Sequence, residues 1–321
     1  NAGNFSGYFE VNGQYYQADS AISAPEVKEK WLNNGFMSLS YNYGGLSVGV
    51  RYESYLNTLL GFDPNFKGNG ITNRFITYTN AKLSVTAGNF YEQFGSGLVF
   101  RTYWEPNLGL DNSMDGLRAI FTPAAGITLK GVIGRQRDFF TYPESIVRGV
   151  DADIQLNDAV KMFENMKLRI GIGGSFVSKY QKDDRPSLVL PENVGAYAGR
   201  LSLKYGKVAF DAEYAYKIND PSQSNLFTYN YGEALFTNLT YTKKGLGVRV
   251  SGKRVSNMDF RSDRAVTGNR LLINYLPAVN RQQTYRLATL YPYATQLLGE
   301  MGGDAEIYYN FKPKTKLGGQ Y

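Results

Sequence analysis

Three pairs of acids stand two residues apart along the chain: Asp151 with Asp153, Asp211 with Glu213, and Asp304 with Glu306. Two carboxyls on one face of an extended strand are the raw material of glycoside hydrolysis, where one serves as acid and the other as base or nucleophile. Bases recur with a similar beat, at Arg200 and Lys204 and at Arg249 and Lys253. Nothing sets one acid of any pair apart for the raised pKa that catalysis needs. The pairs therefore read as a solvated wall on which opposite charges meet across neighbouring strands. The chain has no cysteine and no histidine. Disulfides, thiolate chemistry, Ser-His-Asp and Cys-His catalysis and the commonest zinc ligand all drop out. A Ser-Lys or carboxylate enzyme is left without support. Gly171-Ile172-Gly173-Gly174 lacks the strand-to-helix setting of a nucleotide loop, and its glycines read as permitting strand curvature. Asp63, Asn65 and Asn69 offer oxygens to calcium, but turn chemistry accounts for such a loop. The resulting expectation is a non-enzymatic protein with no metal and no cofactor.

The elements that place these charges alternate face by face. In the hairpin from Gly199 to Lys217, Leu201, Leu203 and Tyr205 share one side while Arg200, Ser202 and Lys204 share the other. After a turn at Gly206-Lys207, Val208, Phe210, Ala212, Tyr214 and Tyr216 oppose Asp211, Glu213 and Lys217. Successive side chains of a strand point to opposite faces, so the hairpin has one apolar and one charged wall. The same alternation recurs along the chain and predicts about fourteen complete strands, with the start of another at Leu317. Ile71 to Thr79 alternates poorly, which leaves its facing open, and 157–166 is expected to hold one or two helical turns capped by Asn157 or Asp158. Short turns fall on one side and long loops on the other, the longest near 89–113 and 255–303. No apolar run is long enough for a transmembrane helix. The expected fold is an all-β, transmembrane, antiparallel up-and-down β-barrel, a single domain over 1–321 that stops before the barrel closes.

An aromatic ends several descending strands just before a short turn: Tyr43, Phe121, Tyr205, Tyr241 and Phe311. Such rings sit well at a lipid headgroup boundary and would form a periplasmic girdle. The charged wall would line the lumen with Arg51, Glu53, Arg118, Lys130, Asp151, Asp153, Arg169, Arg200, Asp211, Glu213 and Arg249. The stretch 89–113 breaks the rhythm. Its Phe94, Phe100, Tyr103 and Trp104 are costly to leave in water, and Arg101 and Glu105 supply charge. It is expected to be a constriction in the lumen, a partner-binding loop over the mouth, or an extracellular hairpin that covers its own neighbours. The formal charge of +7 is scattered among acids with no arginine-rich block, which argues against nucleic acid.

The motifs GNFYEQFGSGLVFRTYWEPNLGLDNSMDGLRA (Gly88 to Ala119), GRQRDFF (Gly134 to Phe140), RGVDADI (Arg148 to Ile154) and LYPYATQ (Leu290 to Gln296) span most of the chain. Together they resemble an uncharacterised family of Bacteroidota outer-membrane β-barrels. The resemblance implies location and fold and brings no activity with it; the expected partners of such a barrel are outer-membrane lipid and lipopolysaccharide. Two functions remain in view. One is a poorly selective pore or transporter for small polar solutes. The other is a structural or accessory barrel of a larger outer-membrane complex, with protein partners at the extracellular loops.

Overall fold

Alternating side chains and two-residue turns fold this chain into consecutive hairpins. The computed structural model describes residues 2–59, 61–106, 109–183, 185, 187–279 and 295–310. The main strands are β1 (Asn4–Tyr15), β2 (Trp31–Tyr43), β3 (Leu46–Asn57), β4 (Gly68–Thr79) and β5 (Leu83–Phe90). After the short pair β6 (Trp104–Glu105) and β7 (Leu110–Asp111), which stands apart, they continue with β8 (Met114–Phe121), β9 (Ile127–Gln136), β10 (Ile146–Gln155), β11 (Leu168–Tyr180) and β12 (Asn193–Tyr205). The series ends with β13 (Val208–Lys217), β14 (Gly232–Lys243), β15 (Leu246–Ser256) and β16 (Gly299–Tyr309). Among the described residues these form one 14-stranded sheet in up-and-down order, with β1 and β16 at its edges. Every neighbouring pair is antiparallel. The strand start at Leu317 and the girdle position Phe311 lie outside the described residues.

The hairpin from Gly199 to Lys217 turns at Gly206-Lys207 as expected, with Arg200 opposite Glu213 and Ser202 opposite Asp211. Its turn needs a left-handed residue, and Gly206 supplies φ +56°, which an L side chain adopts only with strain. The poor alternation of β4 has a local cause. The register slips where Arg51 pairs with Asn73 while Tyr52 pairs with Ile71, so Thr72 forms a bulge and the facing reverses there. Ile71 on one side of the slip and Ile76 and Tyr78 on the other are all exposed.

Between β10 and β11 a single helical turn, α1 (Leu156–Ala159), leads into a 3-10 turn at Lys161–Phe163. The cap differs from the expectation. Gln155 occupies the N-cap position without a side-chain bond, because Asn157 is buried and spent elsewhere. It donates to the carbonyls of Phe163 and Leu168 and accepts from the Ile170 amide. The long connection is shorter than 255–303, since β15 runs on to Ser256 and β16 begins at Gly299. Among its described residues, an isolated bridge joins Arg261 and Leu272.

The two faces of the sheet differ sharply. On the outer face nearly every strand exposes large apolar groups, among them Phe9, Met37, Val48, Ile76, Leu117, Ile133, Val150, Phe176, Leu201, Leu239, Val250 and Ile307. Tyr43, Phe121 and Tyr205 are exposed before their turns and Tyr241 is half-exposed. Tyr78 holds an equivalent place at the end of β4. On the inner face towards the long loops, Val132, Val147, Val177, Val194, Ala196, Ala198, Ala215, Ala234 and Val255 are buried against loop residues. The sheet therefore wraps a dry core of its own making in that half of its interior.

Candidate functional site: a tongue inside the sheet

The loop that follows β5 supplies the other half of that core. Its chain folds back on itself, with the Phe94 amide donating to the Phe100 carbonyl (3.0 Å) and the Thr102 amide to the Glu92 carbonyl (2.9 Å). Further out, β6 (Trp104–Glu105) and β7 (Leu110–Asp111) close a two-residue ladder. Gly95 and Gly97 make the tip with φ of +54° and +99°. Phe94, Leu98, Val99 and Phe100 are essentially inaccessible to solvent, and the two phenyl rings lie 5.0 Å apart. A second loop lies alongside: Arg101 N donates to the Ile273 carbonyl (2.8 Å) and Tyr275 N to the Gly97 carbonyl (2.9 Å). Ile273 N in turn donates to the Phe260 carbonyl at 2.8 Å. This pair of loops fills the interior towards the long-loop end. Of the three expectations for 89–113, the structure has the loop folded inward.

Charged wall residues fasten the tongue at three levels. At its root, Lys130 Nζ reaches Glu92 Oε1 and the Gln93 carbonyl, both at 2.9 Å, and Arg118 donates to the Tyr91 carbonyl at 3.2 Å. On its return limb, Asp111 joins Arg51, Glu53 and Arg137 in a closed ring of two cations and two anions. Arg51 bonds Glu53 (2.7 Å) and Asp111, while Arg137 bonds Glu53 (2.7 Å) and Asp111 (2.6 Å). All four side chains are almost wholly buried. Burial by itself would lower the Arg137 pKa, and the charges of Asp111 and Glu53 more than reverse this, so it is raised. The Tyr91 phenol, buried beside Asp111, is raised as well. At the tip, the Ser96 amide donates to Glu213 Oε2 at 2.8 Å.

Loop aromatics serve as platforms for arginine. The Arg51 guanidinium lies 4.0 Å from the Trp104 ring centroid, and Arg101 lies 4.0 Å from Tyr275 and 5.0 Å from Tyr103. Glu105 sits in β6, half-buried.

Not all the wall charges pair as simple cross-strand neighbours. Arg200 passes over its direct partner Glu213 and reaches across β11 to Asp151 (2.6 Å) and Asp153 (2.9 Å) on β10. Gly173 makes this crossing possible, since a Cβ there would fall 2.5 Å from Asp153 and 2.6 Å from Arg200 Nε. Gly173 thus keeps a bridge clear in addition to any curvature the glycines of 171–174 allow. Arg249 follows the simpler rule and bonds Glu306 on β16 at 2.9 Å. Arg169 pairs with Asp158 at the short-turn rim, where both are exposed. Arg51, Glu53, Asp151 and Glu213 are buried, which corrects the picture of a uniformly solvated wall: Asp111 and Trp104 of the tongue meet Arg51, Ser96 meets Glu213, Arg137 meets Glu53 and Arg200 meets Asp151. Asp111 and Arg137 were missed as site residues because their partners lie far away in sequence, although both fall inside quoted motifs.

Two cavities flank the filled zone. One of about 250 Å³ lies under the tongue tip, bounded by Ser96, Asp153, Arg200, Asp211, Glu213 and Phe236. The other, about 530 Å³, opens among Phe66, Tyr103, Asp111, Arg137, Phe139 and Arg270.

A family model described as Family of unknown function (DUF6029) matches residues 1–321. The chain belongs to this family. No curated protein matches it. Among solved structures, it is similar to a BenF-like porin from Pseudomonas fluorescens Pf-5, at 14% identity over 79% of this chain and 82% of that one, with a TM-score of 0.38. It is also similar to the outer membrane protein OpdK of Pseudomonas aeruginosa, at 10% identity over 82% and 85% of the two chains, with a TM-score of 0.40.

Proposed function

We infer that this family member is an outer-membrane β-barrel protein of a Gram-negative bacterium that passes small polar solutes through a lumen constricted by its own tongue. The outer face supports the membrane location. A band of exposed Phe, Tyr, Val, Ile and Leu circles almost every strand, far more apolar surface than a soluble monomer leaves in contiguous contact with water. Strands of 8–13 residues suit a tilted crossing of the hydrocarbon layer, and the aromatics before the short turns suit its interface. The resemblance of the motifs supports a Bacteroidota source.

The tongue carries the functional reading. A loop that enters the interior and is fastened by Lys130, Arg118, Arg51, Arg137 and Glu213 sets the width of any path past it. Mixed signs on the wall give such a path little ionic preference. The dry packing of Phe94, Leu98, Val99 and Phe100 against valines and alanines favours a second reading, an accessory barrel of a larger complex that does not conduct. Proteoliposomes holding the full-length protein separate the two. Osmotic swelling in small sugars, faster once residues 92–111 are removed, is the outcome expected of a constricted passage. No swelling with either folded protein supports the accessory barrel.

A further inference from the structure

We propose that the cavity beneath the tongue tip is a binding site for a small solute carrying a protonated primary amine. Glu213 is the reason. Its side chain is only 5% exposed, it lines the cavity, and its Oε1 receives no hydrogen bond. Its cross-strand partner Arg200 would be the obvious counter-ion. That guanidinium is instead committed to Asp151, Asp153 and the Ser175 hydroxyl. Glu213 makes no ion pair among the described residues. The Ser96 amide donates to its Oε2 at 2.8 Å, with the Ser96 hydroxyl close by, and Oε1 stays unmet. A buried carboxylate with a free oxygen is costly unless a cation or strong donor meets it.

The surroundings define what that cation is. Asp153 and Asp211 add negative charge to the same cavity, and Arg200 is its one lining cation. Among the described residues the acids do not gather into a set that would hold a metal ion. Phe236 lines the cavity as well, and an aromatic face attracts an organic cation. A volume of about 250 Å³ equals that of roughly eight waters, which fits a short aliphatic amine with room for hydroxyls. Glycines hold the space open. Gly171 and Gly173 line it without side chains, and a Cβ on Gly95 would fall 2.6 Å from Arg200 and 2.7 Å from Glu213 Oε1. The tongue tip roofs the site through Ser96, so an occupant would lie where the passage narrows. The site rests on the constricted-barrel reading only for that placement.

The test uses the full-length protein in detergent micelles and two probes of one shape, 4-aminobutan-1-ol and butane-1,4-diol, followed by calorimetry. The amine is expected to bind and the diol to bind much more weakly. Glu213→Gln should weaken the amine by at least about tenfold, the scale of a hydrogen bond to a charged group. Asp211→Asn, at an exposed position whose change does not threaten folding, should weaken it several-fold. Equal binding of both probes, no binding of the amine, or unchanged affinity in Asp211→Asn and in a folded Glu213→Gln protein would each overturn the assignment. Because no ion flow is measured, these outcomes are independent of whether the barrel conducts.

Discussion

Arg137 shows how much one side chain does in this molecule. Its guanidinium donates to both oxygens of Glu53, to Asp111 and to the Phe139 carbonyl. Replacing it with alanine leaves two buried acids to share Arg51, and breaking a buried pair in this way costs about 3–5 kcal/mol. Arg169→Ala removes an exposed bridge and should cost no more than about 1 kcal/mol. Urea unfolding of both variants in micelles checks the contrast, and similar losses would contradict the ring. Tyr91 gives a pH-dependent counterpart. Its hydroxyl donates to Asp111 and accepts from Arg51, and burial followed by the Asp111 charge raises its pKa. Below about pH 10, the ordinary phenol value, folded and unfolded chains both keep the proton and the stabilisation is complete. Above it the unfolded phenol ionises first, so stability falls as pH rises. Tyr91→Phe should flatten the alkaline limb of the stability profile, and an unchanged limb would argue against the shift.

The tongue and the hairpins were unequally legible in the sequence. Strand alternation is a local property, so Arg200, Ser202 and Lys204 could be set on one face from spacing alone. The apolar half of the inner wall is written in the same alternation, as Ala196 and Ala198 share the parity of Arg200. Small side chains carry little hydrophobic signal, however, and their meaning appears only when Phe94 and Phe100 are packed against them. The aromatic content of 89–113 marked the loop as unusual. Its direction of folding depends on partners such as Glu213 and Ile273, far along the chain. The bulge at Thr72 and the bridge over Gly173 are likewise tertiary facts. Phe94→Ala should destabilise by about 3–5 kcal/mol and open the tongue to protease. Resistance equal to wild type would show that the phenyl ring does not hold the loop in place.

At the scale of the whole molecule, the outer face and the inner face solve opposite problems. Outside, apolar side chains on nearly every strand need a lipid solvent. Inside, a tongue and a second loop pack against the wall in the half of the interior nearest the long loops, with one cavity beneath the tongue tip and another among Phe66, Asp111 and Arg270. A barrel with a freely open lumen needs none of this packing, so the tongue should govern what the protein transmits. Single-channel conductance of the full-length protein in a planar bilayer, beside a variant lacking residues 92–111, tests this most directly. The expected result is a small steady conductance that rises several-fold in the variant. Equal conductance from both proteins would contradict the tongue as the constriction, and silence from both, with each shown to be folded, would contradict the channel itself.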